Sequence, residues 1–245
     1  MEVLNWRSMP SGWMVKGDFT LSVLKWSRYD GSANAAALMV YYVLCLYASY
    51  RDDPISGLES GEAKITYKEL ADAIGISRAK VWKGLDVLKS FGLIEVSSSQ
   101  NERNNIYKII NYNETPWCKV PLRKFVRNKS LSGVFSDFSL RKKTSLHAMK
   151  IFFLLLKFRD DAQNYAAITY DKIALYTGIT KNDIRPALSL LQHARLILLD
   201  RVNDDRAGCV TSNYRHNVYW IVGMNSRKHF GTNSQSHSII EPSFS

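Results

Sequence analysis

The chain has 245 residues, 46% of them apolar, with ten Phe, thirteen Tyr and six Trp; that much core-forming material excludes a disordered polymer and suits one large domain or two small ones. A formal net charge of +11 and a pI of about 9.5 point to a polyanionic partner: DNA, RNA or an acidic membrane surface. Cys45, Cys118 and Cys209 are far apart, form no CxxC pair and have no histidine at zinc-ligand spacing, so they read as ordinary thiols of a reduced, cytoplasmic protein, with no metal expected.

Met1 to Pro10 lacks the basic-then-apolar order of a secretory signal. Trp13 precedes a short apolar-basic stretch. Ala33 to Tyr50 is almost wholly apolar and close to the ~20 residues that cross a bilayer. Its small Ala-rich start, its tyrosines and the flanking Arg51-Asp52-Asp53 predict instead a buried helix that ends in water. Thr66 stands three residues before Glu69, the spacing of a capping box, and opens a helix through Leu70, Ala71 and Ile74. Gly75 can take the left-handed conformation that ends it. Ser77 caps a second helix, on which Val81, Leu85 and Leu88 share a face. Leu93 to Val96 reads as a strand, Ser97 to Asn105 as a polar loop holding Arg103, and Ile106 to Ile110 as a returning strand. Asn113 to Pro116 break the pattern and mark a boundary.

Beyond it the chain repeats itself. Trp117 precedes a second apolar-basic stretch, and Leu146 to Phe158 is a second apolar helix. Lys150 and Lys157 interrupt it, which argues against a membrane span in either copy, and His147 reads as a packed core histidine. Both apolar helices end in Arg-Asp-Asp, at Arg51 and at Arg159. Residues 65–94 align without a gap on residues 168–197, with ten of thirty positions identical, where chance gives about two. The identities are Ile65, Thr66, Tyr67, Ala71, Gly75, Ile76, Leu85, Leu88, Leu93 and Ile94, the pattern of a shared core with different surfaces. The offset of 108 at Arg-Asp-Asp against 103 here gives the first copy a longer loop, Pro54 to Lys64. The second copy then follows the same grammar: Thr169, Gly178, Thr180 with Asp183 as its own box, then Ile184, Leu188 and Leu191. Strands at Leu196 to Val202 and Asn217 to Val222 flank a longer loop with Arg206 and Arg215. The tail from Asn225, rich in Ser, Asn and His, reads as mobile.

Helix, Gly turn, helix, then strand, basic loop and strand resembles the winged-helix superfamily, and the run GISRAKVWKGLDVLKSFGLIEV, met twice in register, carries the resemblance. It covers Trp13 to Val222. It implies a mostly α fold with small β wings (α+β) in two tandem winged-helix domains: 1–113, then 114–224 with a basic connecting segment, then a flexible tail, 225–245. In each unit the third helix is expected to enter the major groove while the wing touches the backbone or minor groove. Two such units in one chain of this size are similar in organisation to plasmid and phage replication initiators.

At ~100° per residue, the helix face opposite Val81, Leu85 and Leu88 carries Ala79, Lys83 and Asp86, with Lys80 and Trp82 at its edge and Ser77 and Arg78 at its amino end. The matching positions in the second copy are Asn182, Pro186, Ser189, Asp183 and Arg185, with Thr180 and Lys181 at the cap. Asn suits adenine and Arg suits guanine by bidentate geometry, so the units are expected to read different half-sites. For Trp82, contact with a sugar or a thymine methyl and packing against another domain both stay open. Pro186 removes one helical hydrogen bond, and a bend is expected there. Residues 119–161 hold eleven basic and three acidic side chains. Lys119, Arg123, Lys124, Arg127, Lys129, Arg141, Lys142 and Lys143 are expected to clamp the phosphates between half-sites, giving a slope of log K against log salt of about −5 to −7.

No GxxxxGK[ST] loop is present, so ATP-driven unwinding is not expected. Asp52-Asp53 with Glu62-Ala63-Lys64 loosely echoes a nuclease pattern, and His216 with Tyr219 a strand-transfer pair; both are short, common patterns, and no enzymatic activity and no cofactor are expected. The expected partner is double-stranded DNA, with replication or transcription machinery beyond it, no membrane, and a monomeric or homodimeric state left open. The expected role is replication initiation on a mobile element. The alternatives are a transcriptional regulator, a winged-helix protein-interaction adaptor and a structured-RNA binder.

Overall fold

A computed structural model describes residues 6–27, 30–98, 105–122, 126–127, 130–131, 133–162, 164–203 and 215–224. The chain is a mixed α+β protein with six α-helices and small antiparallel sheets among these residues. In chain order it runs β1 (Trp6–Pro10), α1 (Gly31–Tyr47), β2 (Glu62–Ile65), α2 (Tyr67–Ile74), α3 (Arg78–Ser90), β3 (Ile94–Ser98) and β4 (Asn105–Ile109). The second half follows as β5 (Trp117–Pro121), β6 (Val126–Arg127), β7 (Ser130–Leu131), α4 (Lys143–Phe158), β8 (Tyr165–Ala167), α5 (Tyr170–Thr177), α6 (Lys181–His193), β9 (Ile197–Asn203) and β10 (Arg215–Ile221).

Both apolar segments form buried helices, α1 and α4, and among the described residues no helix is long and apolar enough to cross a membrane. The shorter helices start and stop where their sequences dictate. Thr66 and Glu69 form the reciprocal capping box of α2, which ends on left-handed Gly75. Thr169 caps α5, which ends on left-handed Gly178. Ser77 accepts from the Lys80 amide to start α3. The box expected at Thr180 does not form: its hydroxyl donates to the Asp183 carboxylate at 3.0 Å, and no side-chain cap closes α6. Helix α6 runs through Pro186, whose exposed edge position lets the ring stand in solvent.

Each half closes with a three-stranded antiparallel sheet, ordered β2-β4-β3 and β8-β10-β9. The expected hairpin strands are found shifted by a residue or two, whereas β2 and β8 were not anticipated. Each takes the outer edge beside the returning strand, with Ala63 paired to Tyr107 and Ala166 to Tyr219. The duplication extends into that strand: Asn105-Ile106-Tyr107 matches Asn217-Val218-Tyr219, and both tyrosines are fully buried.

The halves are not beads on a string. Strand β1 pairs antiparallel with β5, Trp6 opposite Pro121 and Pro10 opposite Trp117. The counterpart of Trp117 is therefore Trp6, not Trp13; Trp13 lies in the short turn Gly12–Met14 and donates its indole N–H to the Pro10 carbonyl at 3.1 Å. Pairing a motif with its own repeat in reverse is what a local twofold axis passing between Ser8 and Lys119 produces. Under this ribbon α1 and α4 pack together, with Tyr41 and Tyr42 against Phe152 and Phe153.

The segments leading into α1 and α4 cross over reciprocally. Ser22 presses on Gly178, its carbonyl oxygen 3.3 Å from where a Cβ would stand, and Ser136 lies over Gly75. The Val134 amide donates to the Ala73 carbonyl at 2.9 Å. Lys150, only 3% exposed, donates from Nζ to the Leu24 carbonyl at 2.9 Å, while Asn34 of α1 donates to the neighbouring Lys25 carbonyl at 2.8 Å. Each half thus braces the helix turn of the other, and one buried core runs through both.

Candidate nucleic-acid interface

Helix α3 is held to the core by Val81, Leu85 and Leu88, and by Gly84, which sits directly on the α1 backbone at Ala36 and Ala37. That contact fixes which face is left over. Ser77, Arg78, Ala79, Trp82, Lys83 and Asp86 are all exposed, Trp82 to 55%. Among the described residues Trp82 is not covered by the other half of the chain. Lys80 is drawn in instead: half-buried, it donates from Nζ to the Ser32 hydroxyl at 2.7 Å and ties α3 to the start of α1. Asp86 lies 3.9 Å from Lys89 on the same helix.

Helix α6 repeats the arrangement, with Ile184, Ala187, Leu188 and Leu191 buried and Thr180, Lys181, Asn182, Arg185, Pro186 and Ser189 exposed. Lys181 is ion-paired with Asp171 of α5. Asp183 is half-buried and held by Lys143 at 2.8 Å, whose hydrogen bond, with that of Thr180, keeps its carboxyl below the usual range. His147 has its Nδ1 4.0 Å from Asp183; it is half-buried beside the helix, and desolvation lowers its pKa against the pull of that carboxylate.

Between α6 and the β9–β10 hairpin lies a groove of about 600 Å³, lined by Tyr170, Arg185, Leu188, Ser189, Gln192, Leu199 and Asn217. It offers a guanidinium, two amides and two hydroxyls over a leucine floor, with no carboxylate in the lining. Tyr170, Gln192, Leu199 and Asn217 were not singled out from the sequence. The repeated Asn-x-Tyr of β4 and β10 was the signal that could have found Asn217.

The basic bridge divides. Arg141, Lys142 and Lys143 are exposed where α4 begins, and Lys143 already engages Asp183. Lys119 is largely covered, 2.9 Å from Asp161 and 5.2 Å above the Trp6 ring. Arg127 falls in β6 and Arg215 opens β10. Arg103, Arg123, Lys124, Lys129 and Arg206 lie outside the described residues, as does the tail from 225.

The acidic residues that echo a nuclease brace their own loop. Asp52 accepts from the Ser60 amide at 2.8 Å, Asp53 from the Ser56 hydroxyl at 2.6 Å, and Glu62 from the Glu59 amide at 2.9 Å. Tyr219 is a core residue. Among the described residues no group of three or more His, Cys, Asp or Glu side chains is placed to hold a metal ion. No family model matches the chain, and no curated protein matches it.

Proposed function

We propose that this chain is a sequence-specific duplex-DNA-binding protein made of two winged-helix units, 1–113 and 114–224, used together in one protomer. The observation that carries the reading is the exposed face of α3 and of α6, each polar at its cap and each followed by an antiparallel hairpin. An α-helix backed by a core and flanked by a hairpin fits a major groove about 12 Å wide while the hairpin reaches the backbone. The net charge of +11 supplies the sequence-independent attraction. The braced halves favour a fixed spacing of half-sites about one helical turn, ~34 Å, apart. With Lys119 and Lys143 already paired to Asp161 and Asp183, the expected salt slope moves to the shallow end of its range, about −5.

The biological role proposed is replication initiation on a mobile element, on the strength of the two-unit organisation. Selection of bound sequences from a random duplex pool, repeated with Lys83→Ala and Arg185→Ala, tests the binding. Enrichment of one motif spanning two major-groove faces, relaxed at one position by each variant, is the expected result. Footprinting then separates roles: tandem copies beside an AT-rich tract mark an initiator, a single site over a promoter marks a regulator. Retention of no duplex at low salt, with a stable protein partner instead, would overturn the proposal in favour of an adaptor.

A further inference from the structure

We infer that the two units read chemically different half-sites, the first unit thymine through Ala79 and Trp82, the second adenine and guanine through Asn182 and Arg185; this rests on the duplex-binding reading above. The duplication supplies the comparison. Positions 79 and 182 are equivalent, as are 82 and 185, because the helices carry the same buried residues in the same register: Val81, Leu85 and Leu88 against Ile184, Leu188 and Leu191. The four side chains therefore leave their helices in the same direction, one turn apart, and all four are exposed. What differs is their chemistry.

The Trp82 indole is left 55% in water, on a helix face that it shares with Arg78, Ala79, Lys83 and Asp86. In a major groove the C5-methyl of thymine is the apolar feature that distinguishes one base pair from another, and Ala79 beside Trp82 adds a second small apolar surface to meet it. At the same two positions the second unit places an amide and a guanidinium, the side chains that pair bidentately with adenine N6/N7 and guanine O6/N7. Arg185 keeps that capacity: its groove is lined by Ser189, Gln192, Asn217 and Tyr170, none of them anionic. The nearest acidic residue on its helix, Asp183, is occupied by Lys143 and Thr180. Where Ser189 presents a hydroxyl in the second unit, the first presents Asp86, 3.9 Å from Lys89. The protein consequently binds an asymmetric site in one orientation only.

The test uses the full chain and the duplex selected from the random pool. Each thymine is replaced singly by deoxyuridine, which removes the methyl and leaves every hydrogen-bonding group. Each guanine is replaced singly by 7-deazaguanine, which removes N7. Deoxyuridine is expected to weaken binding about fourfold per contacted methyl in one half-site, and 7-deazaguanine about 5- to 150-fold in the other. Trp82→Ala should abolish the deoxyuridine effect and spare the 7-deazaguanine effect; Arg185→Ala should do the reverse. Both residues are exposed, so unchanged thermal melting of the variants shows that the fold is intact. If both half-sites respond alike, or if Trp82→Ala stays as sensitive to deoxyuridine as the parent, the inference is overturned while duplex binding stands. If the parent protein retains no duplex at all, the duplex-binding reading fails, and this inference with it.

Discussion

Replacing Gly84 by Ala is the sharpest test of how α3 is seated. In an exposed helix the change gains about 1 kcal/mol, because glycine pays more backbone entropy than alanine. Here a Cβ would stand 2.9 Å from the carbonyl carbon of Ala36 and 2.9 Å from the amide nitrogen of Ala37. Carbon contacts are comfortable at about 3.5–4.0 Å, so the helices must separate by roughly 0.6 Å or more. The obstacle is backbone inside a helix that is itself buried on all sides, so no side chain can swing away. Overpacking of this kind costs about 1–3 kcal/mol, and at the upper end the net loss after the propensity gain is about 2 kcal/mol. For a chain of this length that lowers Tm by roughly 4–8 °C, read by calorimetry or far-UV circular dichroism. The equivalent position in α6 is Ala187, fully buried, where a Cβ is already accommodated. Ala187→Gly should also destabilise, by about 1–2 kcal/mol, through lost propensity and lost packing. A Gly84→Ala protein melting at or above the parent would show that α3 does not lie on α1 as described.

Burial depresses the Lys150 ammonium to a pKa of about 8, helped by nearby Lys25. The unfolded chain then holds one proton more than the folded chain from about pH 8 to pH 10.5, so this lysine's contribution to stability rises across that window. The difference in denaturation free energy between the parent and Lys150→Met should accordingly grow in the parent's favour from pH 8 to 10.5, by on the order of 2–3 kcal/mol; a pH-independent difference would contradict the buried geometry. Burial drives the thiols of Cys45 and Cys118 the other way, Cys118 to about 12. Their stabilising contribution is complete below the unfolded thiol pKa and is lost as pH rises past it. Urea midpoints should therefore fall from about pH 9 upward, and Cys118→Ala should flatten that fall. Lys143→Ala should cost under about 1 kcal/mol at pH 7, since the pair is partly solvated. Because the folded Asp183 carboxyl titrates below its ordinary value, that cost should vanish as pH falls through the acid range, which a pH series of thermal melts would reveal.

The helices were legible because their signals are local. Thr66 and Glu69, Gly75, Ser77 and the spacing of Val81, Leu85 and Leu88 act within a turn or two of chain, and the structure places each as its chemistry requires. Strands β2 and β8 were not, at four and three residues, because their stability comes from pairing with β4 and β10 rather than from their own propensity. The exchange of β1 with β5 carries no local periodicity at all; only the repeated Trp and Pro at either end hint at it, and Trp13 was the nearer decoy. Exposed faces could be drawn from helix geometry, but partners could not. Lys80, Lys143 and Lys181 all sit where a phosphate clamp would want them, yet Ser32, Asp183 and Asp171 hold them. The groove around Arg185 draws on α5, α6, β9 and β10 and exists only once they converge.

A pair of identical units related by a twofold axis can read only a palindrome, whereas two independent domains on a flexible tether can read any two half-sites at any spacing. This chain lies between those limits. The inward surfaces have stayed alike, so that β1 still pairs with β5 and each strap still rests on the opposite glycine turn, Ser22 on Gly178 and Ser136 on Gly75. The outward surfaces have diverged, Ala79 and Trp82 against Asn182 and Arg185. On the duplex-binding reading, the conserved interior sets the distance and the divergent exterior sets the polarity. Once one unit has engaged, the other is held near its half-site without the loop entropy a free linker would impose. Inserting five base pairs between the half-sites turns the second groove to the opposite side of the duplex. A braced protein cannot follow it, and affinity should fall to the non-specific level; a tethered pair would lose only a fewfold. That contrast, measured on the selected site at fixed salt, decides whether the reciprocal straps set the spacing.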